Sequence, residues 1–253
     1  MTRIIMRGCN GKMGQVITGI VKADEEAEIV AGIDLFDGIK NDYPVFKTLD
    51  ECDVEADVVI DFASPKDLTA MLNWSVEKQV PIVLCTTGYD EAQLAEIKEA
   101  SNKVALLRSA NMSLGVNTIL KLVQAATKVL AAADFDIEIV EKHHNQKVDA
   151  PSGTALAIAD AINEVLNDEY SYTYDRSKER VKREKKEIGI SAVRGGTIVG
   201  EHEVIFAGTD EVIEIKHTAY SKAIFGKGAV QAAKFLKGKE AGLYNMSQVI
   251  ENA

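Results

Sequence analysis

The chain has 253 residues, 46% hydrophobic and 27% charged, the composition of a folded globular protein rather than a disordered or fibrous one. Its 39 acidic residues outnumber 29 basic ones, and the net charge of −10 opposes general binding to nucleic acid or anionic membranes while leaving room for a local basic pocket. Cys9, Cys52 and Cys85 are widely spaced and contain no C-x-x-C pair, so they suggest reduced thiols of a cytoplasmic protein, not a disulfide framework or a metal site.

The first predicted strand, residues 3–7, follows Met1 directly, and its apolar run is too short for a secretory signal. Further strands are expected at 28–34, 57–62, 81–86 and 104–109, with helices at 12–23, 65–79 and 90–101 between them. The run 57–62 is nearly continuous apolar, which suits a strand buried on both faces. Ser64-Pro65 supplies a cap and a first-turn proline for the helix behind it. This alternation predicts an α/β unit with an open, mostly parallel sheet. The character then changes. A long helix over 114–132 is interrupted by Lys121, Gln124 and Lys128, which marks it as buried or amphipathic and not membrane-spanning. A strand at 136–142, a helix at 152–166 and a polar, loop-rich, exposed stretch at 167–187 follow. Long strands at 188–194, 197–206 and 211–218, joined by short turns, predict an antiparallel sheet and hence an α+β unit. A last helix is expected at 228–236.

Gly8-Cys9-Asn10-Gly11-Lys12-Met13-Gly14 lies between the first strand and the first helix. Glycines at this spacing permit a tight turn, close approach of the backbone to a pyrophosphate and close helix–strand packing, and the helix N-terminus offers free N–H groups. A glycine loop alone is a weak signal. Asp34, at the end of the second strand and about twenty residues past Gly14, strengthens it, because a carboxylate there can accept from an adenosine ribose. Cys85-Thr86-Thr87-Gly88 and Ser109-Ala110-Asn111-Met112-Ser113 fall at the C-terminal ends of later strands, where open α/β sheets bind ligands. As plain structure, each would be a helix cap or a strand-end turn.

The densest chemistry lies in Glu141-Lys142-His143-His144-Asn145-Gln146-Lys147-Val148-Asp149-Ala150-Pro151-Ser152-Gly153-Thr154. His143 and His144 are adjacent at a strand end, so they point to opposite faces if the strand persists. Ser152-Gly153-Thr154 opens a helix whose N–H groups and hydroxyls suit a carboxylate. Histidine, lysine and a helix start together suit an anionic substrate that needs a proton source. No recognisable zinc spacing accompanies the histidines, and no metal is expected.

The segment 141–154 closely resembles the signature E-x-H-H-x-x-K-x-D-A-P-S-G-T of the 4-hydroxy-tetrahydrodipicolinate (dihydrodipicolinate) reductase family. The loops at 8–14, 85–88 and 109–113, and the runs 194–202 and 242–246, are similar to other family motifs, so the resemblance covers essentially the whole chain. It implies a dinucleotide-binding domain from 1–113 and 223–253, and a substrate-binding and tetramerisation domain at 114–222. It implies reduction of a cyclic dicarboxylate in diaminopimelate and lysine biosynthesis, by hydride transfer from a nicotinamide. His143 and Lys147 would be the proton-transfer groups, and His144, Ser152, Gly153 and Thr154 would bind substrate. Gly8, Cys9, Asn10, Gly11, Lys12, Met13, Asp34, Cys85, Thr86, Thr87, Ser109, Ala110, Asn111 and Met112 would bind the cofactor.

Two positions depart from the family pattern. Cys85 replaces a glycine, which is tolerable if only its backbone faces the cofactor. Asp34 is followed by Leu35-Phe36 where some members carry arginine, which predicts a preference for NADH over NADPH, with Lys12 near the phosphates permitting some use of NADPH. The competing readings are another dehydrogenase of the same architecture and a non-catalytic NAD(H)-binding redox sensor.

Overall fold

The structure, a computed structural model, describes residues 1–252 apart from Asp175 and Glu179 and the side chain of Lys178. In chain order the elements are β1 (Thr2–Arg7), α1 (Lys12–Lys22), β2 (Ala27–Ile33), β3 (Val45–Phe46), β4 (Val58–Asp61), α2 (Leu68–Lys78), β5 (Ile82–Leu84), α3 (Glu91–Ala100) and β6 (Ala105–Arg108). Then come α4 (Leu114–Leu130), β7 (Asp136–His143), α5 (Gly153–Glu164), β8 (Ser171–Thr173), β9 (Glu187–Arg194), β10 (Gly200–Ala207), β11 (Val212–Ala219), α6 (Ala223–Leu236), β12 (Gly242–Tyr244) and α7 (Met246–Glu251). They form two compact units, Met1–Leu114 with Ala223–Ala253, and Gly115–Lys222.

The first unit is a seven-stranded parallel sheet in the order β12-β6-β5-β4-β1-β2-β3. Growth starts at β1, runs outward through β2 and β3, then restarts on the other side at β4. Ile4, Ile5 and Met6 of β1 and Val58, Val59 and Ile60 of β4 have no exposed surface, because helices cover both faces. On one face Ile17 and Val21 of α1 pack with Ala229, Val230 and Leu236 of α6 and Met246 of α7. On the other, Leu68, Met71 and Trp74 of α2 pack with Ile97 of α3. Local chemistry fixes the helix starts. Ser64 Oγ accepts from Lys66 N ahead of α2, and Asp90 and Gln93 form a reciprocal capping box at α3.

The tail extends the sheet with a strand that composition and periodicity do not show. β12 pairs Leu243 with Leu106, and three residues carry no readable periodicity. α6 begins at Ala223, ahead of the expected start, because Gly226 and Gly228 lie inside it. A Cβ on Gly228 would sit 1.6 Å from the Met112 carbonyl oxygen, so the absent side chain is what lets α6 dock.

In the second unit α4 and α5 lie on one face of a five-stranded sheet ordered β11-β10-β7-β9-β8. The sheet is mixed, correcting the antiparallel expectation. β10 runs antiparallel to β7 and β11, while β7, β9 and β8 are mutually parallel. The short 195–199 connection joins strands that flank β7 instead of pairing with each other, and the crossover through α5 carries the chain from β7 to β8, from which it returns to β9 between them. The stretch 167–187 is also not wholly loop and exposed. It contains β8, and Arg183 anchors it, donating to Glu138 Oε1 at 3.1 Å, Asp136 Oδ1 at 2.9 Å and the Ile137 and Glu187 carbonyls. Among the described residues no helix is long and apolar enough to cross a membrane.

Candidate active site

The glycine loop leaves β1 at the point where the first sheet reverses its growth. Gly8 has φ +80°, and a Cβ there would lie 2.6 Å from the Phe62 carbonyl oxygen at the end of β4. A Cβ on Gly14 would lie 2.1 Å from the Gly8 carbonyl oxygen, so the first turn of α1 folds directly onto the loop. Cys9 packs its thiol into the core, where burial, followed by the nearby Asp34 charge, pushes its pKa up to about 11. Asp34 reaches across from β2 and accepts from Asn10 N at 2.9 Å and Phe36 N at 3.0 Å. Asn10 donates its side-chain amide to the Phe36 carbonyl and accepts from Asn41 Nδ2 at 2.8 Å. No side chain caps α1 at Gly11, so the first N–H groups of the helix remain open to an anion.

Beside this loop lies a cavity of about 440 Å³ lined by Gly8, Gly11, Asp34, Leu35, Phe62 and Ala63, with Arg7, Lys47 and Asp67 also in its wall. Arg7 is spoken for. Its guanidinium donates to the fully buried Asp61 at 2.6 Å and to Asp67 at 3.1 Å, joining β1 to its register partner on β4. Thr86 Oγ1 accepts from Ala63 N at 3.1 Å, which ties the threonine loop to the same wall. Cys85 and Met112 turn their side chains into the core, and burial holds the Cys85 thiol well above its ordinary range. The residues present therefore fit a dinucleotide: an open helix start, a cavity whose floor a Cβ would obstruct, and a fixed carboxylate at its rim.

The second cluster grows from the alternation of β7. Ile137, Ile139, Glu141 and His143 share its buried face, so the face that packs against α5 becomes polar at its C-terminal end. Glu141 is fully buried and accepts four hydrogen bonds: His143 Nδ1 at 2.6 Å, Ser152 N at 2.9 Å, and Arg194 Nη1 and Nη2 at 2.8 and 2.7 Å. Burial alone would raise this carboxyl, but the bonds from Arg194, His143 and Ser152 overcome it and hold the group below the usual carboxylate range. An ionised Glu141 requires a proton on His143 Nδ1, so Nε2 is the ring nitrogen turned away from the carboxylate. Ser152 caps α5, its Oγ accepting from Ala155 N at 3.2 Å, and it also meets His202 Nε2 at 2.9 Å. Lys147 follows a turn closed by its N–H to the His144 carbonyl, and its Nζ pairs with Asp149 Oδ1 at 2.8 Å.

The structure thus joins the loop 8–13 to Asp34, and His143 to Ser152 through Glu141. β7 ends at His143, so His144 starts the turn and lies half-buried outside the strand alternation. Glu141, Arg194 and His202 join this cluster, although residue-by-residue reading gave them no role. Glu141 and His202 are register partners, as are His143 and Arg194, and only strand pairing brings them together. The signal available was the run 194–202, where an arginine and a histidine flank a glycine-rich turn.

A parallel sheet of this order with a glycine loop at its reversal, in a chain that also carries a buried histidine–carboxylate cluster, marks a pyridine-nucleotide-dependent oxidoreductase. Models described as dihydrodipicolinate reductase, N-terminus, and dihydrodipicolinate reductase, C-terminus, match residues 2–112 and 115–250. The chain belongs to the dihydrodipicolinate reductase family. It is 51% identical to the 4-hydroxy-tetrahydrodipicolinate reductase of Caldanaerobacter subterraneus subsp. tengcongensis, over 99% of each chain. It is 50% identical to that of Clostridium tetani, over 100% of this chain and 98% of the other. Its fold resembles a dipicolinate-bound dihydrodipicolinate reductase from Paenisporosarcina sp. TG-14, with TM-score 0.81 and 25% identity over 97% of both chains. A probable dehydrogenase from Thermotoga maritima shares the fold alone, at TM-score 0.60 and 11% identity over 98% of this chain and 92% of the other.

Proposed function

We propose that this chain reduces 4-hydroxy-tetrahydrodipicolinate to tetrahydrodipicolinate in diaminopimelate and lysine biosynthesis, with NADH preferred over NADPH. The observation that carries the reading is Glu141, which binds the ring of His143 and the cap of α5 at once. The first unit is the dinucleotide-binding domain, and the second binds substrate and self-associates. Gly8, Cys9, Asn10 and Gly11 would shape the loop around the pyrophosphate, the N–H groups of Lys12 and Met13 at the open start of α1 would hold it, and Asp34 would hold the adenosine ribose. Cys85, Thr86 and Thr87, with Ser109, Ala110, Asn111 and Met112, would flank the nicotinamide. Loss of the substrate's 4-hydroxyl as water leaves a conjugated ring, to which the cofactor, when bound, supplies the hydride. The negative charge then building in the substrate ring calls for a proton, which His143 Nε2 or Lys147 Nζ delivers. Glu141 stabilises the imidazolium form of His143 from behind, and Asp149 holds Lys147 until a substrate carboxylate competes for it. Ser152, Gly153, Thr154 and His144 receive that carboxylate at the helix start.

Asp34 supports the preference for NADH. Two backbone N–H groups fix its carboxylate at the cavity, where it would repel a 2′-phosphate. Arg7, in the same wall, is already paired with Asp61 and Asp67 and offers that phosphate little. Lys47 and Lys12 are the groups through which NADPH would be tolerated. The non-catalytic sensor reading has no support among the relatives. The test is loss of nicotinamide absorbance with substrate made in situ from pyruvate and aspartate semialdehyde, with NADH and NADPH in parallel. We expect substrate-dependent oxidation and a higher kcat/KM with NADH. A higher value with NADPH removes the preference, and no oxidation by a folded, nucleotide-binding protein removes the reductase assignment.

A further inference from the structure

Behind the helix start lies a histidine to which the proposed reaction gives no task. His202 on β10 is in register with Glu141 on one side and His217 on the other, in one row across β7, β10 and β11. It is 4% exposed, and its ring lies 5.1 Å from that of His143 and 6.5 Å from that of His217. Its Nε2 is 2.9 Å from Ser152 Oγ, whereas its Nδ1 is buried and meets no hydrogen-bond partner among the described residues. Burial, and then the neighbouring His143, push its pKa down to about 4, so the ring is neutral near pH 7 and carries one proton.

That proton has two possible places, with opposite consequences for Ser152. On Nδ1 it would leave a buried N–H with no acceptor, and Nε2 would take the serine hydroxyl as its donor. On Nε2 it points into Ser152 Oγ and leaves only a lone pair unpaired on Nδ1. Buried N–H groups without acceptors are rarer than under-satisfied acceptors, so the second arrangement prevails. Ser152 Oγ then accepts from His202 Nε2 and from Ala155 N, which fills both of its lone pairs. Its own hydrogen then has no acceptor among the described residues and is left for a ligand.

We propose that His202 is a positioning residue whose Nε2–H, donated to Ser152, fixes the serine hydroxyl as a donor reserved for an acceptor-only group, the substrate carboxylate. The proposal rests on the reading that Ser152 receives that carboxylate. It adds a basis for selectivity. An ionised carboxylate is accepted, whereas an amide nitrogen in the same place would present a donor to a donor.

Two measurements test it on the full-length protein. The first is the 15N spectrum of histidine-labelled wild type at pH 7, with the His202 signals assigned by their loss in His202→Gln. A protonated Nε2 and bare Nδ1 are expected, and the reverse tautomer overturns the proposal whatever the catalytic activity. The second compares variants, with NADH binding as the check on folding. His202→Leu removes the donor and should raise both KM for substrate and Kd for dipicolinate at least about tenfold, the weight of a hydrogen bond to a charged group, with kcat changed less than about threefold. His202→Gln, whose amide can still donate, should recover most of that loss, and Ser152→Ala should add little in the His202→Leu background. Unchanged dipicolinate affinity in His202→Leu, or full additivity of the two substitutions, overturns it. Should the wild type fail to turn over substrate, the tautomer and dipicolinate binding still decide the proposal separately from the assigned reaction.

Discussion

Lys147 and His202 show how differently two polar residues of one cluster are held. The Lys147 ammonium is paired with a single exposed aspartate, an arrangement a dianionic substrate can displace. A lysine that delivers the proton contributes as general acids do, so Lys147→Ala should lower kcat by at least about 100-fold. A near-native rate in the absorbance assay would take Lys147 out of the chemistry. His202, by contrast, is kept neutral by burial, and its folded pKa of about 4 lies below the ordinary 6.5. The unfolded chain therefore binds the extra proton first. The stability contribution is complete above pH 6.5 and is lost as pH falls through 4, on the order of 3 kcal/mol in all. Glu141, its pKa held low, acts in the same direction at still more acid pH. Urea unfolding from pH 7 to 4 should show this decline in the wild type and a shallower one in His202→Gln. Parallel curves would mean that His202 does not titrate as assigned.

At the scale of elements, two joints hold the first unit in the shape the glycine loop needs. Arg7 and Asp61 link β1 and β4 by a buried ion pair at the end of both strands. Removing one partner strands the other charge, and Asp61→Ala should cost about 3–5 kcal/mol in a urea melt. A loss below 1 kcal/mol would show that Arg7 finds equal partners in Asp67 and water. The second joint is α6 against the Met112 backbone. Gly228→Ala places a methyl where no space exists and should destabilise by about 1–3 kcal/mol. An alanine variant as stable as wild type would require α6 to shift without penalty. Most of this layer was legible: strands 3–7 and 57–62 gave themselves away by their apolar pattern, and the helix behind Ser64-Pro65 by its cap chemistry. The early start of α6 was not, because a glycine that permits close packing looks in sequence like a glycine that ends a helix.

For the whole molecule, the face of the second sheet opposite α4 and α5 bears on assembly. Val140 and Ile205 are half-buried there, and Val193 and Val212 are exposed. This supports self-association through the sheet, as the proposed tetramer requires. Sedimentation velocity should give a tetramer for the wild type and smaller species for Val193→Glu. A wild-type monomer would end that proposal. The sequence by itself determined the parallel α/β unit, the glycine loop with Asp34, and the His143–Lys147–Ser152 segment. Each of these is written in residues close along the chain, where spacing fixes geometry. Tertiary structure decided the rest. It set the mixed order of the second sheet, returned β12 and α6 to the first unit, and placed Arg194 and His202 around Glu141. Those partners lie 53 residues (Arg194) and 61 residues (His202) beyond Glu141 in the chain, and no local periodicity records which strand will lie beside which.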